Sequence, residues 1–138
     1  MGKGDSADDQ EFAANYPGTP VTVYQFCRQA ARNQTTTPRW VYYTNVNTAC
    51  ELGLDYGNIA DRNKIANMLG DVSEFEVKKG RPMLSALIVL KGGKPPTPGQ
   101  GFFDWAAHLG VVRRAGEDDQ KFHARVLGDV LSYRSQHP

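Results

Sequence analysis

The densest apolar pattern in this chain lies within Gly80 to Phe103, GRPMLSALIVLKGGKPPTPGQGFF. Met83 to Leu90 is apolar at every position but Ser85, and its length and β-branched content predict a strand covered on both faces. Gly92, Gly93, Pro95, Pro96, Pro98, Gly99 and Gly101 then forbid regular structure. Phe102, Phe103, Ala106 and Leu109 resume at helical spacing, closed by Gly110. The clearest 3.6-residue stripe is Ile65, Met68, Leu69, Val72 and Phe75, which predicts a helix over 60–79. Lys78 and Lys79 fit the negative end of its dipole and Gly80 stops it. Phe122, Val126, Leu127, Val130 and Leu131 predict a last helix opening at Glu117 to Asp119.

Upstream the pattern is thinner. Val23, Phe26, Cys27 and Ala30 predict a helix over 20–32, with Thr19 as cap and Pro20 in its first position. Trp40 to Thr44 suits a short strand. Thr44 or Asn45 can cap a short helix that ends near Leu52, with Gly53 as its stop. Residues 1–19 are polar and without periodicity, so a flexible acidic tail is expected ahead of one globular domain over 20–138. The fold class that follows is α+β: mostly helical, with a helix-turn-helix-like core and a minimal two-stranded sheet.

Composition narrows the classes. With 40% apolar and 22% charged residues the chain is a folded globular protein. No apolar run approaches the roughly 18 residues of a membrane span. No charged-then-apolar signal layout opens the chain, which reads as cytoplasmic. Cys27 and Cys50 lack metal spacing and read as inert thiols. The net charge of +1 hides an asymmetry: residues 1–20 carry −3 and the remainder +4. A mildly basic body permits a nucleic-acid partner, and an acidic tail could shield a basic face.

Several motifs carry a resemblance. Leu52-Gly53-Leu54, Leu69-Gly70-Asp71-Val72, Gly80-Arg81-Pro82-Met83-Leu84-Ser85-Ala86-Leu87-Ile88-Val89 and Pro98-Gly99-Gln100-Gly101-Phe102-Phe103 together resemble a widespread group of uncharacterised small bacterial proteins. That resemblance covers about two thirds of the chain and brings no activity with it. A fainter likeness is to the DNA-binding domain of alkyltransferase-like proteins, in which the second helix of a pair enters DNA. Pro82 to Ala86 holds no Cys, His or Arg at the place of that family's reactive residue, so alkyl transfer is not implied. Only the helix–turn–helix layout is shared.

Three sites are candidates. The first is the helix pair 45–53 and 60–79. Arg62, Asn63, Lys64 and Asn67 sit off the apolar stripe at the start of the second helix, where such pairs read the major groove. Arg and Asn can pair bidentately with base edges and Lys can meet phosphate. Their plain alternative is the polar outer side of any surface helix, and Asp61 opposes phosphate. The second is the loop Lys91 to Gly101, where Lys91 and Lys94 could touch phosphate as a wing does, and Gly99 and Gly101 could cradle an anion. A winged helix would return along a strand, whereas this chain enters a helix. The third is Asp104 with His108, one turn apart, able to share a metal only if His123 folds alongside. Ser85 lacks the sharp Gly-x-Ser-x-Gly turn of a nucleophile.

No catalytic motif, metal set or cofactor signature emerges. The leading expectation is a non-catalytic DNA- or RNA-binding protein. The alternatives are a protein-interaction module using Tyr42, Tyr56 and Trp105, such as an accessory or inhibitor factor, or an enzyme of unrecognised type.

Overall fold

A computed structural model of the chain describes residues 3–34, 40–93 and 96–137. Among these are six α-helices and a two-stranded parallel sheet. The order is α1 Lys3–Asn15, α2 Val21–Arg32, β1 Val41–Tyr42, α3 Tyr43–Ala49, α4 Ile59–Lys78, a 3₁₀ turn Leu84–Leu87, β2 Ile88–Val89, α5 Gln100–His108 and α6 Asp119–Gln136. In the sheet, Val41 lies opposite Ile88 and Tyr42 opposite Val89.

The apolar run that reads as one long strand is a 3₁₀ turn followed by only two strand residues. Met83 to Val89 is nonetheless buried throughout, and the turn packs against α2, α4 and α6 at the centre of the molecule. A covered apolar run identifies burial, not backbone geometry. β1 is two residues long, so Leu84 to Leu87 have no ladder partner, and buried backbone groups must be satisfied elsewhere. Side chains do this: the Ser85 amide donates to Ser73 Oγ at 3.1 Å. The Ala86 carbonyl accepts the His123 Nε2–H at 2.7 Å.

Burial pushes the His123 imidazole below its usual value of 6.5. The unfolded chain therefore takes up a proton on His123 more readily than the native one, and stability is lost as pH falls through 6.5 towards the lowered native value. The melting temperature should drop across that window, and His123→Gln should flatten the drop. A profile equally steep in His123→Gln would assign it to other groups.

The acidic tail expected over 1–19 is a correction. Lys3–Asn15 form a helix whose Phe12 is fully buried, stacked 5.0 Å from Tyr24 and set edge-on to Phe75 at 5.5 Å. Its arrival also turns the buried face of α2. Tyr24, Arg28 and Ala31 are buried there beside Val23 and Cys27, while Phe26 and Ala30 of the expected stripe are only half-covered. Thr19 does not cap α2. Pro20 holds that position and the Thr19 hydroxyl donates to Asp71 at 2.6 Å.

α4 follows its sequence pattern. Asn58 caps it by accepting the Asp61 amide. It ends in a Schellman turn in which Gly80 N–H meets the Val77 carbonyl and Arg81 N–H meets the Glu76 carbonyl. Gly80 sits at φ 74°, which favours glycine. Between α3 and α4 the chain takes nine residues, 50–58. A helix-turn-helix motif uses about three to four.

Glu76 is the charged centre of the core, 1% exposed. It pairs with Arg134 of α6, with Arg81 at 2.6 Å, and accepts the Tyr24 hydroxyl at 3.1 Å. Four segments of the chain thus meet on one carboxylate. Among the described residues no helix is long and apolar enough to cross a membrane.

Candidate functional site

The first half of α4 forms one wall of a cleft of about 620 Å³, a size suited to a small ligand or one part of a larger one. Arg62, Asn63 and Asn67 come from that helix, Tyr43 from α3, Tyr56 from the α3–α4 connection and Trp105 from α5. Ser85 and Met83 of the buried run are also in its lining. The helix spacing that removes Arg62, Asn63 and Asn67 from the Ile65–Leu69–Val72 stripe is what aims them here.

The aromatic walls are held rigidly. Tyr43 and Tyr56 stack with centroids 6.1 Å apart, and the Gly99 amide donates to the Tyr43 hydroxyl at 3.0 Å. Burial holds both phenols above their usual pKa, so each remains a neutral donor. Trp105 Nε1 donates to the Gly70 carbonyl at 2.9 Å while its ring stacks on His108 at 4.6 Å. A β-carbon at Gly70 would lie 3.4 Å from Nε1, an ordinary van der Waals contact.

The polar side chains are unspent. The Arg62 guanidinium lies over the Tyr56 ring, 5.9 Å from its centroid, with no carboxylate partner among the described residues. Asn63 and Asn67 are exposed and make no side-chain hydrogen bond within the described chain. Asp71 also lines the cleft but is engaged by Thr19. The rim carries two exposed aliphatics, Ile59 at 68% and Leu90 at 42%.

The remaining candidates disperse. Lys64 is 61% exposed, pairs with Asp61 at 3.5 Å and does not line the cleft. Lys91 lies over Tyr42, 5.3 Å from its ring centroid. Lys94 lies outside the described residues. The Gly99 amide is already given to Tyr43, so an anion cradle there is short of one donor. Asp104 accepts from Gln100, His108 stacks on Trp105 and His123 is spent on Ala86. Among the described residues no three potential metal ligands converge. Cys27 is fully buried, with its thiol pKa raised by desolvation, and Cys50 donates to the Thr22 carbonyl. Tyr42, Tyr56 and Trp105 are half-buried, not free on the surface.

Sequence reasoning missed Tyr43 and Met83 as parts of this site. No family model matches the chain, and neither a curated protein nor a solved structure was found to match it.

Proposed function

We propose that this protein binds nucleic acid without catalysing a reaction, through the helix pair α3–α4 and the cleft beside it. The observation that carries the reading is the convergence of Arg62, Asn63 and Asn67, none committed to a hydrogen bond or ion pair in the described chain, on one cleft walled by Tyr43, Tyr56 and Trp105. Asn and Arg are the side chains that pair bidentately with base edges. Aromatic walls suit the face of a base. Lys91, next in the chain to Leu90 of the rim, adds a cation for backbone phosphate.

The test is a titration of labelled duplex DNA, single-stranded DNA and RNA at two salt concentrations, wild type beside Arg62→Ala/Asn67→Ala. Binding should weaken by about 1–3 kcal/mol for each side chain that pairs with a base edge. If Arg62 meets phosphate, the slope of log affinity against log salt becomes shallower by about one. Both side chains are exposed, so the melting temperature should not move. Absence of salt-sensitive binding to all three would end the reading. Ile59 and Leu90 on the rim favour a second one, in which the cleft takes an apolar segment of a protein partner. Salt-insensitive capture of such a segment, abolished in Ile59→Ser, would support it.

A further inference from the structure

Helix α1 covers a basic face, and the pairing is nearly one to one. Asp5 pairs with Arg32 at 2.6 Å, Asp8 with Arg81 at 3.1 Å, Asp9 with Arg28 at 2.8 Å, and Glu11 with Lys79. Three of those cations also sit over aromatic rings: Arg28 over Tyr24, and Lys79 and Arg81 over Phe75. Tyr24 and Phe75 are the rings that Phe12 covers. For Arg28, Arg32 and Lys79, every carboxylate partner among the described residues comes from α1.

The helix is held lightly for its length. Phe12 and Asp5 are its only buried side chains among those described. Of its ion pairs among the described residues only Glu11–Lys79 is well exposed, and such a pair contributes little and is screened by salt, whereas the Arg28 pairs with Asp5 and Asp9 are shielded from solvent. A helix of 13 residues that leaves its platform is marginal in water. Such an element opens at less than the global unfolding free energy. What it uncovers is a set of cations interleaved with aromatic rings, the chemistry of a surface for single-stranded nucleic acid. Of the acidic groups nearby, Glu76 is shared by Arg134 and Arg81, and Glu74 pairs with Lys78.

We infer that Arg28, Arg32, Lys79 and Arg81, with Tyr24 and Phe75, form a second contact surface for single-stranded nucleic acid, which the carboxylates of α1 occupy in its place until the strand displaces them. The inference rests on the nucleic-acid reading above but concerns a different face.

The full-length chain with Phe12→Ala tests it, because that change loosens α1 without altering charge. The apparent affinity of a site scales with the fraction of molecules in which it is open. Losing the burial of one aromatic side chain raises that fraction by roughly tenfold to a hundredfold. A labelled oligothymidylate should therefore bind Phe12→Ala at least about tenfold more tightly than wild type. The salt slope should steepen by about two, from roughly 0.7 for each of three newly freed cations. Asp8→Asn/Glu11→Gln should move both readings in the same direction, and serves if Phe12→Ala fails to fold by circular dichroism. Glu51→Gln/Asp129→Asn, an equal charge change on exposed residues away from α1, should move them less. Folded variants with wild-type affinity and slope would overturn this inference and leave the cleft reading standing. No binding by wild type or any variant would overturn both.

Discussion

Glu76→Ala should be the most destabilising single change in the molecule. The carboxylate is fully buried and holds Arg134 and Arg81 from two different directions, with the Tyr24 hydroxyl as a third partner. Removing it does not return those groups to water. It leaves the buried Arg134 guanidinium facing the half-buried Arg81 across an emptied space. Breaking a buried ion pair from one side costs about 3–5 kcal/mol, because the stranded charge keeps its desolvation penalty. For a chain of this size that is a fall in melting temperature on the order of 10–20 °C. Glu74→Ala is the contrast: Glu74 is half-buried, pairs with an exposed Lys78 at 3.4 Å and accepts the Tyr16 hydroxyl at 2.8 Å. Its removal loses that charge-assisted hydrogen bond and strands no buried cation, so it should cost about 1–2 kcal/mol, less than Glu76→Ala. Thermal melts of the two variants decide the matter, and a shift of only a few degrees in Glu76→Ala would show that the network relaxes around the gap.

Leu87→Ala should follow closely. Leu87 ends the 3₁₀ turn, buried where α2, α4 and α6 meet. Truncating a leucine there forfeits its transfer free energy and leaves a cavity that three helices cannot all close at once. The expected cost is about 2–5 kcal/mol. Val89→Ala removes less volume and should cost less. Chemical denaturation should show a lowered midpoint with an unchanged slope, the sign of reduced stability with two-state behaviour intact. A melting-temperature change of only a degree or two would mean the turn is not the centre of the core. The sequence pattern predicts the same sensitivity, although it places Leu87 on a strand. Burial sets the cost, whatever the backbone geometry.

That substitution shows what kind of information each level holds. α4 is readable because an apolar stripe and a glycine stop act within a few residues of one another, and α6 because an apolar stripe follows an acidic opening turn. The Asn58 cap, the Gly80 turn and the Ile65–Leu69–Val72 stripe are local, and they fold as local rules require. Arg62, Asn63 and Asn67 are readable as a polar set for the same reason: helical spacing separates them from the stripe. Their setting is not readable. Trp105 reaches Gly70 across 35 positions, and Gly99 reaches Tyr43 across 56. Such contacts form only when α3, α4 and α5 have packed, so nothing near either residue announces them.

α1 marks the boundary most sharply. Its sequence has a single large apolar residue, Phe12, and four acids, which by composition describe a solvated tail. The partners of those acids lie 19 to 73 positions away, on Arg28, Arg32, Lys79 and Arg81. A charge carries no periodicity that would tell a paired position from a solvated one. Hydrophobic spacing, charges at helix ends and the Gly80 stop, all acting over a few residues, determined α4, α6 and the polar face of α4 from the sequence alone. The tertiary structure decided that the central apolar run is a turn served by Ser73 and His123, that the acidic N-terminus is a docked helix, and that a polar helix face is the wall of a cleft. Each of those outcomes depends on groups brought together from distant parts of the chain.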